Sequence, residues 1–170
     1  MLAFIGRLIE RKEGVMPYDV KVKTVPATHV AAIRRHTSAA TIGPDIQEAF
    51  GAIGQTIGTA GVPIIGPPYL VMFDVIDDET DGDVELAFPV ASAFEGAGDV
   101  RSVDVPEMTV AWTLHQGPYD EIGPAYHTVS GWIQEHGHEV AGPPREIYLT
   151  DPSETTDPAE YETEVQFPIR

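Results

Sequence analysis

The chain is written twice, and that repetition limits its possible folds more than any other feature. "TIGPDIQEAFGAIGQTI" (Thr41 to Ile57) aligns with "EIGPAYHTVSGWIQEHG" (Glu121 to Gly137), matching Ile42/Ile122, Gly43/Gly123, Pro44/Pro124, Gly51/Gly131 and Ile53/Ile133. At the same offset upstream, Val25-Pro26 meets Val105-Pro106 and Val30-Ala31 meets Val110-Ala111. Further on, "GPPYLVMFD" from Gly66 answers "GPPREIYLTD" from Gly142, and "ELAFPV" from Glu85 answers "EVQFPI" from Glu164. Matched blocks in the same order describe one supersecondary unit used twice.

Each copy reads strand, strand, helix, strand, strand. In the first, "YDVKVKTV" alternates polar and apolar residues and "THVAAIRRH" continues as a β-branched segment. A helix starts near Pro44, a favoured early helical position, and carries Ile46, Phe50, Ile53 and Ile57 on one side. Gly51, Gly54 and Gly58 weaken it as an isolated helix, so packing on a sheet must hold it. "YLVMFDVI" and "DVELAFPVA" follow as strands joined by the acidic turn "DDETDGD". The second copy repeats this with "DVRSVDVP", "EMTVAWTLHQG", a helix from Pro124 to about His136, "REIYLTD" and "ETEVQFPI". The expected fold is α+β: a duplicated β-β-α-β-β unit forming a curved antiparallel sheet, with two helices on one face and a ligand cleft on the pseudo-twofold axis. Residues 1–17 are expected to be an N-terminal extension or tail. A single domain then spans 18–170, built from repeats of about 18–92 and 99–170.

Composition removes several functions. With 27 acidic and 10 basic residues the formal charge is -17, the wrong sign for direct binding to nucleic acid phosphates. The acidity suits a cationic ligand or a basic protein partner, or simply solubility in a salty cytoplasm. There is no cysteine, hence no disulfide and no thiolate metal site. No apolar run reaches the length of about 20 residues that a membrane span needs. The opening "MLAFIGRLIERKEGV" has charges after its short apolar stretch and lacks a cleavage site, unlike a signal peptide. A cytoplasmic location is expected, with no membrane contact and no cofactor.

The two copies differ most in the strands after the helix. Pairing Val71 and Phe73 with Leu86 and Phe88, and Ile147 and Leu149 with Val165 and Phe167, puts bulky apolar residues on the helix side. The other face then holds Leu70, Met72, Glu85 and Ala87 in one copy, and Glu146, Tyr148, Glu164 and Gln166 in the other. On this reading Leu70 has become Glu146 and Met72 has become Tyr148, so one face of a duplicated scaffold has diverged into a binding groove. Glu146 is the first candidate for a ligand contact, against the plain alternative of a solvated rim carboxylate. Buried in an apolar cleft it would hold its proton more tightly, and an incoming cation would restore the ionised form. Tyr148 is a candidate pocket wall, while Trp112 divides between cleft lining and core packing. Leu70 and Met72 would form the opposite apolar wall. Glu164 and Glu85 recur in both copies and read as structural. "HGH" (His136 to His138) lies at a helix end, where the dipole alone favours it, so no metal site is expected.

The duplicated unit, the turn "GPYDEIGPAY", the strand "REIYLTDP" and the closing "YETEVQFPI" resemble the GyrI-like small-molecule-binding domain, over Tyr18 to Arg170. This family supplies the effector-binding module of bacterial multidrug-responsive transcription activators and also occurs as stand-alone proteins. The resemblance implies an aromatic-lined cleft in which the glutamate of the "E-x-Y-L" strand, here Glu146, reaches the ligand. It also makes Tyr119 and Tyr126 candidate lining residues. Some stand-alone relatives hydrolyse cyclopropane-containing natural products with a glutamate among aromatics. No helix-turn-helix precedes the domain, so a transcription-factor role for this chain alone is not expected.

Three functions therefore compete. The first is a stand-alone protein binding amphipathic, cationic or planar aromatic small molecules, which is not an enzyme. The second is a hydrolase of strained electrophiles with Glu146 as general base, assisted by Tyr148. The third is an acidic interaction or inhibitor module for a basic protein partner.

Overall fold

A computed structural model describes residues 18–151 and 153–170; the expected N-terminal extension lies outside the described residues. In chain order the elements are β1 (Lys21–Val25), β2 (Thr28–Thr37), α1 (Ile42–Ala60), β3 (Tyr69–Met72), β4 (Gly82–Val90), β5 (Arg101–Val105), β6 (Met108–Gln116), α2 (Gly123–Glu135), β7 (Arg145–Tyr148) and β8 (Glu162–Pro168). The expected α+β class, with antiparallel strands and one helix per copy, is what the chain adopts.

The chain forms two compact units, and these cut across the sequence repeats. A central unit runs from Val25 to Met108; a split unit joins the chain up to Thr24 with Thr109–Arg170. The central unit orders its strands β3-β4-β2-β5, and the split unit orders its strands β1-β6-β8-β7. Each unit therefore takes its outer strand from the other copy of the repeat: β5 lies beside β2, and β1 beside β6. The reason is local. Only Pro26 and Ala27 separate β1 from β2, and only Pro106 and Glu107 separate β5 from β6. A two-residue hairpin needs positive φ at its turn, which proline cannot supply, and no non-glycine residue among those described has it. The chain passes on instead of folding back.

Helix α1 buries Ala49, Ile53 and Ile57 in the central unit and sets Phe50 edge-on to Phe88, with ring centroids 5.1 Å apart. It ends at Gly61, whose φ of 69° is the left-handed conformation that stops a helix. Helix α2 does the same in the split unit with Ala125, Tyr126, Val129 and Ile133, packed with Ala111, Val165, Phe167 and Ile169.

The pairing of the last two strands differs from the expected one by a single residue. Leu70 faces Leu86 and Met72 faces Val84, while Glu146 faces Val165 and Tyr148 faces Thr163. In a strand, one residue of slip exchanges the two faces. Leu70, Met72, Glu146 and Tyr148 thus lie on the helix-bearing side, with Leu86, Phe88, Val165 and Phe167. Glu85, Glu164 and Gln166 lie on the side away from the helices, joined there by Val71 and Ile147.

Candidate functional site

The β7–β8 register brings a carboxylate under helix α2. Glu146 is only 8% exposed and Tyr126 is buried. Tyr126 sits on the face of α2 that Val129 and Ile133 share at helical spacing, so packing of that face aims its hydroxyl at the sheet. The Tyr126 hydroxyl donates to Glu146 Oε1 at 2.6 Å, and the Tyr148 hydroxyl donates to Oε2 at 2.9 Å. Each carboxyl oxygen thus has one phenolic donor. The Tyr126 ring also lies edge-on to Phe167, 5.8 Å away.

Burial pushes Glu146 above the ordinary carboxylate range. The two tyrosine hydrogen bonds and the nearby His115 act against that rise without cancelling it. Tyr126 and Tyr148 are pushed well above the usual tyrosine value, first by burial and then by the adjacent Glu146. They remain protonated donors across the physiological range.

Beyond Tyr148 the site opens through aromatics. Tyr119 contacts Tyr148 edge-on at 5.5 Å and stacks on Tyr161 at 5.1 Å. Tyr119 is 39% exposed, so this pair forms the outer wall. A turn fixed by His115 carries it. His115 Nε2 lies 3.0 Å from the Pro118 carbonyl oxygen, which can only accept, so Nε2 carries a proton. In the neutral ring Nδ1 then accepts from the Tyr18 hydroxyl, 2.8 Å away. Gly117 completes the turn at φ 135°, and its N–H donates to the Tyr161 carbonyl at 2.8 Å. Gly117→Ala is expected to destabilise the protein by about 1–2 kcal/mol, because that backbone conformation is unfavourable for a residue with a Cβ. Its melting temperature should fall; an unchanged value would show that the turn relaxes freely.

The anticipated residues divide. Glu146, Tyr148, Tyr126 and Tyr119 come together in the split unit. Trp112 does not join them: it is paired with Gln166 and lies on the sheet face away from α2. Leu70 and Met72 belong to β3 of the central unit, Leu70 fully buried and Met72 partly so. Trp132 stacks on His136 at 4.1 Å and on His138 at 5.6 Å, which gives "HGH" a packing role. Among the described residues, no group of three or more histidines and carboxylates is arranged to hold a metal ion. No helix among them is long and apolar enough to cross a membrane.

Tyr161, Thr163 and His115 were not anticipated. All three follow from the register, since residues 161, 163, 165 and 167 alternate onto one face and His115 pairs with Thr163. With Val165 placed on the helix side, Tyr161 could have been read from the sequence.

Comparison with known proteins places the fold in a family. The profile of the GyrI-like small molecule binding domain matches residues 18–170. A comparison with curated proteins finds no match. Among solved structures, the crystal structure of the EcmrR C-terminal domain is 26% identical, with a TM-score of 0.83 over 91% of this chain and 99% of that one. A cryo-EM structure of EcmrR bound to DNA matches over all of this chain and 65% of that one, at the same identity and TM-score. A hydrolase from Listeria innocua encoded by lin2189 is 13% identical, with a TM-score of 0.69 over 95% of this chain and 96% of that one.

Proposed function

We propose that this chain, which belongs to the GyrI-like small-molecule-binding domain family, binds amphipathic, cationic or planar aromatic molecules against Glu146. The observation that carries this reading is a buried carboxyl with a tyrosine hydroxyl on each oxygen and a partly exposed aromatic pair beside it. A desolvated cation there meets an anion at short range and the faces of Tyr119 and Tyr161. The aromatic part contributes on the order of 1–2 kcal/mol once water is excluded.

The proton on Glu146 sets the pH dependence. Burial favours the protonated carboxyl, whereas a cation binds the ionised form, so binding below the raised pKa must release a proton. Affinity for tetraphenylphosphonium, measured by calorimetry, should fall about tenfold per pH unit below that value and level off above it. Proton release should appear as a dependence of the binding heat on the buffer's ionisation enthalpy. A flat profile with no proton release would exclude Glu146 as the cation's partner.

One observation favours a second reading. The same rise in pKa would make Glu146 a stronger base once ionised, with Tyr126 and Tyr148 to hold it. Turnover of a cyclopropane-containing electrophile that disappears in Glu146→Gln, while binding persists, would establish a hydrolase. Binding without turnover leaves the first reading.

A further inference from the structure

The turn that carries Tyr119 has little to hold it in place. It is a single 3-10 turn, Tyr119–Glu121, and none of its residues is buried. A segment with so few apolar contacts opens readily unless polar ties fix it. The Pro118 carbonyl starts the turn and accepts from the Glu121 N–H at 3.1 Å. Its second lone pair takes the His115 Nε2–H. The two bonds differ in kind. The Glu121 bond closes the turn only on itself, whereas His115 belongs to the sheet, in β6 opposite Thr163 of β8, and is 2% exposed. Its ring ties the turn to a paired strand.

The other ring nitrogen is fixed as well. Tyr18, whose hydroxyl donates to Nδ1, packs against the cluster that holds α2. Its neighbour Asp19 accepts from Thr113 Oγ1 through the main-chain carbonyl at 2.8 Å. Burial, and then the Glu121 carboxylate, push Tyr18 above the ordinary tyrosine range, so it stays a donor. With both nitrogens bonded the imidazole cannot rotate, and its Nε2–H stays aimed at Pro118.

Tyr119 and Tyr161 are therefore placed by separate ties: Tyr161 through its carbonyl to the Gly117 N–H, and Tyr119 through Pro118 to His115. Contact between aromatic rings depends on their angle and offset, while the pull of a carboxylate on a cation depends on distance alone. Loosening the turn should thus cost an aromatic cation more than an aliphatic one. Given cation binding at Glu146, on which this rests, we propose that His115 is a positioning residue of that site, holding Tyr119 through the Pro118 carbonyl so that aromatic cations are preferred to aliphatic ones.

Tetraphenylphosphonium and tetrabutylphosphonium carry the same charge and differ in their rings. Their affinities for the full chain are measured by calorimetry, and the readout is the ratio of the two. The unmodified chain should bind the phenyl compound at least about fivefold more tightly. A glutamine amide at position 115 reaches the place of Nε2 and can donate to Pro118; the shorter asparagine cannot. His115→Asn is expected to lower the ratio about fivefold by weakening tetraphenylphosphonium alone, and His115→Gln should rescue it to within about twofold of the parent. A merely structural histidine would weaken both cations together, and in both variants alike. Tyr119→Leu should lower the ratio by itself and leave His115→Asn without further effect in the double variant. Parallel loss of both cations, an unchanged ratio in His115→Asn, or additive losses in the double variant would overturn the inference. Equal affinities of the unmodified chain for the two cations would overturn it with no variant needed, even if His115→Asn fails to fold. Failure of the Glu146 reading itself has a separate signature: Glu146→Gln would then leave both affinities unchanged.

Discussion

Glu146→Gln is expected to abolish high-affinity binding of tetraphenylphosphonium, weakening it about 100-fold, or ~2.7 kcal/mol. Glutamine keeps the size of the side chain and an acceptor for one tyrosine hydroxyl, while the other hydroxyl can turn to accept from its amide. What disappears is the charge. The fold should not suffer, and the linkage gives the sign. Burial raises the folded-state pKa of Glu146, so its protonated form favours folding at low pH. That contribution is complete below the unfolded-state value and is lost as pH rises through the folded-state value. Glutamine does not titrate, so above that window the variant should melt no lower than the parent. Glu164→Gln is the control: it removes a buried carboxylate from the face away from α2 and should leave cation binding within about twofold. Equal affinities for Glu146→Gln and the parent would sink the proposed site.

Ile133→Ala should produce the largest loss of stability, about 2–4 kcal/mol. Ile133 is 2% exposed, in the cluster that holds α2 on its sheet with Val129, Val165 and Phe167. Alanine leaves a cavity that the rigid β8 strand cannot close. For a chain of this size that corresponds to a melting temperature lower by roughly 5–15 °C. Val22→Ala, at a residue 46% exposed, should stay within about 0.5 kcal/mol of the parent. Because α2 also carries Tyr126, weaker packing at Ile133 should loosen a hydrogen bond to Glu146 and reduce cation affinity as well. Similar melting curves for the two variants would mean that the apolar face of α2 contributes little.

The element order was legible because it rests on local signals. Repeated Gly-Pro helix starts, alternating strands and acidic turns each act over a few residues. Glu146 was legible for another reason: it breaks the likeness between two otherwise parallel strands, "YLVMF" and "REIYL". Which way it points was not legible. That depends on how β7 meets β8 across the long connection from Leu149 to Tyr161, and a one-residue difference moves the carboxylate to the opposite face. The expected groove therefore joined residues that the fold separates. Trp112, Glu164 and Gln166 lie on one side of the sheet, and Glu146 and Tyr148 on the other.

The sequence by itself determined the α+β class, the duplication, the order of strands and helices, and the exchange of Leu70 in one copy for the carboxylate of Glu146 in the other. Covalent spacing and local conformational preference suffice for these. Tertiary structure decided that each unit borrows its outer strand from the other copy, since the Pro26 and Pro106 connections forbid a tight hairpin and only packing chooses the alternative partner. It also decided that Tyr126, twenty residues before Glu146 in the chain, donates to its oxygen. Such a contact requires a helix face and a strand face to meet, and their meeting is fixed by register and burial summed over the whole unit.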